Sequence, residues 1–369
     1  MNEQPMTDPI TQPSSPEPDC GPETIQLLMI VRDGAALITP CLESYLGQVD
    51  RFVILDTGSI DNTIELIYKF KRAHSQKVYV YTQLFMGFAE SRNALMNLAC
   101  NTNFTYNDRG RMYDWSVMVD DSYHLVGSLR DSLISRFDAK LYTVKIGNVF
   151  DSSTYTSARV FRTKYVTSQP YLRYVGDVHE YLNYPPQGVF TDFILVDVPC
   201  AEHRQRTFKR NINDLKLLRN KDDESTYYYI AMTKYNMLKN GLGCHKEVFR
   251  ALLERAQMGG EPEERMFSII ALGGLCERMK DDPTYKDAGV GYYLLAAQVF
   301  PARMAECYFY AYLLGGCVKN LEVAYQNRRI DYNAVFRFPF CNELYGNDGH
   351  IAKAWGRHLL MTDIRAART

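Results

Sequence analysis

Val53-Ile54-Leu55-Asp56-Thr57-Gly58-Ser59-Ile60-Asp61-Asn62-Thr63 is the stretch whose reading decides the fold. Three apolar residues in a row give a buried strand that ends in a carboxylate. Gly58 permits a tight turn, and Ser59 or Asp61 is placed to cap a helix carrying Ile64, Leu66, Ile67 and Phe70. A strand, a polar turn and a helix in that order build a nucleotide site, because ligands of open α/β sheets bind beyond the carboxyl ends of the strands, where Asp56 stands. The letters Asp-Thr-Gly-Ser also mark aspartic proteases, which need two such aspartates sharing one proton. The chain has no second Asp-Thr-Gly or Asp-Ser-Gly, and the residues after Ser59 read as a helix rather than a hairpin, which leaves the protease as a distant third reading.

Outward from this motif, strands and helices alternate. Strands are expected at 25–31, 52–55, 78–81 and 115–119, and helices from Thr39-Pro40, as N-cap and N1, to near Gly47, then at 61–72 and 89–100. Such βαβ alternation predicts a mostly parallel sheet with helices on both faces. Shorter strands at 141–146, 158–162 and 193–198 add mixed or antiparallel members. From about Thr207 the pattern turns helical, at 208–220, 227–239, 245–258, 263–279, 291–300 and 304–314. Helix pairs of this length suggest a tetratricopeptide-like array, although no full repeat consensus of roughly 34 residues is present. The expected organisation is a proline-rich disordered tail at 1–24, an α/β domain at 25–206 and a helical domain at 207–369. Phe336, Phe338, Phe340 and Trp355 make the last segment apolar enough to pack back on the body.

The chain has 369 residues, of which 46% are hydrophobic, enough for two or three domains with a sizeable core. Lysine plus arginine (42) nearly cancels aspartate plus glutamate (43), which removes the broad positive field of a dedicated nucleic-acid-binding protein. The nine cysteines form no CxxC pair and read as free buried thiols of a reducing compartment. No apolar stretch approaches the roughly 18 to 20 residues of a membrane span, and no signal-peptide core comes after the first charges, so a cytoplasmic location is expected.

Several segments, in order, carry a resemblance: Met29-Ile30-Val31-Arg32-Asp33, Cys41-Leu42-Glu43-Ser44, Leu55-Asp56-Thr57-Gly58-Ser59, Phe88-Ala89-Glu90-Ser91-Arg92-Asn93, Trp115 through Asp121, Ala158-Arg159-Val160-Phe161-Arg162, Gly176-Asp177-Val178-His179-Glu180 and His203. Together they resemble the family 2 glycosyltransferases of GT-A fold, in the branch whose catalytic domain is followed by tetratricopeptide-like helices. The resemblance implies an α/β, Rossmann-like mixed sheet of nucleotide-diphospho-sugar transferase type. It also implies transfer of a sugar from a nucleotide sugar, a UDP-sugar first, to an acceptor hydroxyl with inversion. Such metal-dependent chemistry needs a base to take the acceptor proton, a divalent cation to neutralise the diphosphate and polar groups to hold the nucleotide.

By the same resemblance Arg32, Asp33 and Asp56 hold base and ribose, and Arg92 meets nucleotide or phosphate oxygens. Asp120 and Asp121 stand at the family's Asp-x-Asp metal motif, but Ser122 replaces its usual second carboxylate. Either Asp121 takes over coordination, or metal binding is weakened, or the site is degenerate. With His203 as a second ligand, Mn²⁺ is favoured over Mg²⁺. Glu180 is the candidate base, Asp177 its alternative, and His179 orients acceptor or diphosphate. The helical domain then shapes a groove for a peptide, protein or glycan acceptor. A catalytically silent sugar-nucleotide-binding or scaffold protein of the same fold is the alternative, motivated by Ser122.

Overall fold

The computed structural model describes residues 22–74, 78–100, 112–134, 140–148, 153–169, 171–176, 180–198, 224–239, 241, 243–329 and 340–366. Its first half alternates β1 (Ile25–Val31), α1 (Ile38–Ser44), β2 (Arg51–Asp56), α2 (Thr63–Ala73), β3 (Val78–Thr82), α3 (Phe88–Cys100) and β4 (Trp115–Asp120). Next come β5 (Tyr123–Gly127), α4 (Leu129–Ile134), β6 (Leu141–Asn148), β7 (Ser153–Arg162), α5 (Thr163–Ser168), β8 (Tyr174–Val175), β9 (Tyr181–Leu182) and β10 (Gly188–Asp197). Every residue of β1 and β2 is buried, as parallel strands covered on both faces require. Leu27, Met29, Phe52 and Ile54 pack with Ile38, Leu42 and Ile67 of α1 and α2 on one face. Leu28, Val53 and Leu55 pack with Leu95 and Met96 of α3 on the other.

The sheet runs in the order β3-β2-β1-β4-β7-β6-β10-β5. β1 pairs in parallel with β2 and with β4, and β2 with β3, so the carboxyl ends of four strands point the same way. β7 runs antiparallel between β4 and β6, which makes the sheet mixed, as expected from the short later strands.

Two local expectations change. α1 starts at Ile38, not at an N-cap on Thr39: the Gly34 carbonyl accepts from both Leu37 N and Ile38 N and winds the chain one step earlier. At α2 the N-cap position falls on Asn62, neither Ser59 nor Asp61: Asp61 accepts at Oδ1 from Thr63 N at 3.0 Å and from the Thr63 hydroxyl just ahead of the helix, while the Ser59 hydroxyl turns to Asp56 and Asp33. β5 has no counterpart in the sequence expectations.

The helical region contains α6 (Glu224–Lys239), α7 (His245–Gln257), α8 (Pro262–Glu277), α9 (Pro283–Val299), a 3-10 turn (Pro301–Arg303), α10 (Met304–Gly315) and α11 (Val318–Gln326). It ends in a short strand, β11 (Phe340–Cys341), and α12 (His350–Ala366). Each helix packs on its neighbour in sequence. α8 and α9 both open with proline at N1 behind a carboxylate N-cap, Glu261 or Asp282, that accepts a backbone N–H. α9 therefore begins well before the expected 291–300. Buried ion pairs lie inside the array: Arg255 with Glu264 at 2.8 Å, both fully buried, and Arg303 with Glu263 at 3.1 Å and with Glu306 at 2.9 Å. Trp355 of α12 stacks on Tyr325 of α11 with ring centroids 5.5 Å apart, and β11 returns to the sheet by pairing antiparallel with the start of β7. The helix expected at 208–220 lies outside the described residues, as do Phe336 and Phe338. Among the described residues no helix is long and apolar enough to cross a membrane.

Candidate functional site

The parallel register places Val31 opposite Asp56 and Ile30 opposite Asp120, so the two aspartates flank the end of β1, about two strand spacings or 10 Å apart. Arg32, Asp33 and Gly34 leave β1 between them. Asp33 adopts φ 52°, a left-handed conformation that aspartate tolerates better than most residues. It is held there by Ile60 N donating to its Oδ1 at 2.8 Å and by its own N donating to Ser59 Oγ at 2.8 Å. Ala35 N adds a bond to Asp61 Oδ2 at 3.2 Å, so the β1 loop is laced to the β2 turn.

Asp56 is almost wholly buried, and its carboxylate accepts from Gly58 N at 3.0 Å, Ser59 N at 3.1 Å and Ser59 Oγ at 2.5 Å. Gly58 supplies the φ of 98° that this turn needs. Asp56 thus builds the turn that orients the β1 loop. Arg32 is exposed, its guanidinium 5.8 Å from the Phe85 ring.

The centre of the site is Arg92. α3 carries it under the sheet edge with its side chain 2% exposed, donating from Nη2 to Asp120 Oδ1 at 2.5 Å and from Nε to Glu180 Oε1 at 2.7 Å. From β7, Arg159 reaches the other oxygen of Asp120, with Nη2 3.6 Å from Oδ2. The Tyr174 and Tyr123 rings lie 5.6 Å from the Arg92 guanidinium and 5.5 Å from that of Arg159, respectively. Burial would raise the Asp120 carboxyl, but Arg92 and Arg159 outweigh it and hold the group down at about 2. Burial likewise opposes the charge on Arg92, and Asp120 and Glu180 overcome it. Burial, together with Asp121 and Asp120, pushes the Cys41 thiol up.

Four buried polar atoms around this cluster find no partner among the described residues: Arg92 Nη1, Arg159 Nη1, the Tyr174 hydroxyl and Ser91 Oγ. Orphaned buried donors cost about 1–3 kcal/mol each, more when charged, so they mark either strain or an unfilled ligand position. Beside them a cleft of about 160 Å³ is lined by Met86–Glu90 at the start of α3 and by Arg173–Gly176. A second cavity, lined by Phe309, Leu313, His350, Lys353 and Arg357, lies in the helical region away from this chemistry.

Of the expected site residues, Arg92, Asp120 and Glu180 come together in direct contact, Arg32, Asp33 and Asp56 stand on the adjoining strand ends, and Asp121 closes the group. Asp121 Oδ2 lies against Gly34 so closely that a Cβ there would overlap it. Asp177, His179 and His203 lie outside the described residues. Arg159, Tyr174 and Tyr123 are not among the expected site residues. The available signal is an arginine at a strand position between Ala158 and Val160.

Of the two expected metal ligands, His203 lies outside the described residues, and the described residues by themselves do not form a Mn²⁺ or Mg²⁺ site. Both oxygens of Asp120 face guanidinium groups, which repel a cation. Ser122 is 6% exposed, and its carbonyl accepts from Val198 N at 3.0 Å. Asp121 is left as a single carboxylate, and among the described residues no three His, Cys, Asp or Glu side chains gather as metal ligands.

No family model matches the chain. A TPR repeat-containing protein of Synechococcus elongatus is 29% identical over 114 residues, which are 31% of this chain and 24% of that protein, so the chain spans about a quarter of that relative's length. Among solved structures, residues 1–349 of Staphylococcus aureus TarS in complex with UDP-GlcNAc are 12% identical. The match covers 79% of this chain and 91% of that one, with a TM-score of 0.37. Glucosyl-3-phosphoglycerate synthase from Mycobacterium tuberculosis, in complex with Mn²⁺, UDP and glucosyl-3-phosphoglycerate, is 17% identical over 34% of this chain and 44% of its own, with a TM-score of 0.24. HddC from Yersinia pseudotuberculosis is 12% identical over 52% of this chain and 99% of its own, with a TM-score of 0.30. All three structural likenesses are below 20% identity and below a TM-score of 0.5.

Proposed function

We propose that this protein is an inverting glycosyltransferase that moves a sugar from a nucleotide sugar, a UDP-sugar first, to an acceptor hydroxyl. The observation that carries the reading is the Glu180–Arg92–Asp120 chain of ion pairs at the carboxyl edge of four parallel strands, where an open α/β sheet takes its ligands. The order of motifs along the sequence supports the same reading.

Glu180 keeps one carboxylate oxygen on Arg92, which fixes the other's direction. In the proposed reaction that second oxygen takes the proton of the acceptor hydroxyl as the hydroxyl oxygen attacks the anomeric carbon. The bond from that carbon to the diphosphate oxygen breaks, and the nucleoside diphosphate leaves with the electron pair. Asp33 and the turn built by Asp56 receive the nucleoside, and Arg32 stands over its edge. Asp177 and His179, next to Glu180 in sequence, keep their proposed roles as alternative base and orienting group, and His203 that of a phosphate or metal contact. The helical region, proposed as a domain from 207, shapes the groove for a peptide, protein or glycan acceptor.

Incubation with a panel of nucleotide sugars and measurement of nucleoside diphosphate release tests the reading. Release that disappears in Glu180→Gln while nucleotide binding persists is the expected result. The buried Ser122 favours one second reading, a silent sugar-nucleotide-binding scaffold. Binding without release under every donor and acceptor supports that alternative.

A further inference from the structure

We infer that the diphosphate of the donor is held by a pair of guanidinium groups, Arg92 and Arg159, with the Tyr174 hydroxyl, and that nucleotide binding needs no divalent cation. The inference rests on the transferase reading and deepens it. Arg92 and Arg159 are 2% and 8% exposed in their side chains, and both are oriented by the same carboxylate, Asp120. Each keeps its Nη1 buried and without an acceptor among the described residues, and the Tyr174 hydroxyl is in the same condition. Two guanidinium groups set on one carboxylate, with the Tyr174 ring 5.6 Å from the guanidinium of Arg92 and all three side chains with unmet hydrogen-bonding capacity, form a cradle for an oxyanion. Guanidinium groups bind phosphate oxygens through short, charge-assisted bonds.

The position where a metal would stand gives the complementary argument. Asp120 serves as the orienting group of the two arginines, since both of its oxygens face them. The hydroxyl residue at 122 is buried behind β4, and its carbonyl is engaged by Val198 N. The two arginines balance Asp120 and Glu180. An incoming diphosphate meets donors already fixed in place, which lowers the ordering cost of binding. Arg159 is a positioning and binding residue in this scheme, contributed by the antiparallel strand that separates β4 from β6.

Calorimetric titration of the full chain with UDP, GDP and ADP, in EDTA and again in Mn²⁺, tests the inference. At least one nucleoside diphosphate is expected to bind in EDTA, with affinity within about threefold of that in Mn²⁺. Arg159→Gln is expected to weaken that nucleotide about tenfold or more while leaving the affinity for the bare nucleoside unchanged. Circular dichroism of the variant establishes that it is folded, and the unchanged protein in EDTA carries the test if it is not. Binding that appears only with Mn²⁺ overturns the arginine cradle and leaves the transferase reading standing. Absence of binding by all three nucleotides in both conditions overturns the two together.

Discussion

Arg92 Nε stands 2.7 Å from Glu180 Oε1, so the candidate base is anchored by the same guanidinium that binds Asp120. The proposed base, the proposed phosphate-binding donor and the strand-end carboxylate form one mechanical unit. A change at any member reaches the others.

The first consequence is for stability. Arg92→Met leaves Asp120 and Glu180 without their shared partner in a buried site, and a loss of about 3–5 kcal/mol in urea unfolding is expected. Arg92→Lys keeps the charge but not the forked geometry, and falls between the two. A loss no larger than that of a surface substitution means the bridge does not organise the site.

Acid behaviour follows from Asp120. Its folded carboxyl titrates at about 2, below the usual carboxylate range, so its stabilisation is complete above about pH 4 and disappears as the pH falls through about 2. The contribution is about 2 kcal/mol. The stability gap between the wild type and Asp120→Asn should therefore close by about that amount from pH 5 to pH 2. A gap constant over the range removes the assignment.

Gly34 faces the Asp121 carboxylate, which would have to turn away from any side chain there. Gly34→Ala drives a methyl group into Asp121 Oδ2 and 3.0 Å from Val31 Cγ2, which displaces the β1 loop. Thermal unfolding should report a loss of about 1–3 kcal/mol, and nucleotide affinity should fall with it.

In the helical array Arg255 and Glu264 are fully buried against one another, and the Ser225 hydroxyl donates to Glu264 at 2.8 Å. Arg255→Met or Glu264→Leu alone should cost about 3–5 kcal/mol, since each strands a buried charge. The double variant should recover most of the loss. A double-mutant cycle in urea reads the coupling, and additive losses contradict the pairing.

Thiol reactivity separates the described cysteines into two sets. Cys244 and Cys317 are exposed, whereas Cys41, Cys100, Cys276 and Cys307 are buried, and burial raises the Cys100 thiol to about 12. Alkylation of the native protein followed by peptide mass analysis should label the first pair rapidly and the other four only on unfolding. The sequence reading of buried thiols holds for four of these six and not for Cys244 and Cys317.

Legibility in the sequence is mostly local or a matter of order along the chain. The Asp56 turn is written in consecutive residues, since a carboxylate, a glycine and a hydroxyl within four positions close on themselves. Arg92, Asp120 and Glu180 stand out by motif order, and packing brings them into contact. Arg159 sits within a motif of the resemblance but has no role assigned by it. Its access to Asp120 depends on β7 running antiparallel beside β4, a long-range pairing that leaves no local periodicity. The start of α9 escapes the periodicity because Gly289 and Gly291 weaken the helical pattern, although Asp282-Pro283 carries the capping signal. Gly289 is explained by close approach, since a Cβ there would meet Leu314 Cδ2 at 2.6 Å.

β11 returns from the helical region to pair Phe340 and Cys341 with Thr154 and Ser153 on the strand that bears Arg159. An open solenoid can lengthen by duplication, because each added unit touches only its neighbours. Here the far end of the array is tethered back to the sheet. Inserting one more helix pair would carry the return strand away by at least one interhelical distance, about 8–10 Å, and unzip it from β7. Duplication or loss of a repeat, the ordinary evolutionary currency of such arrays, therefore carries the cost of this strand pairing in addition to that of the helices themselves.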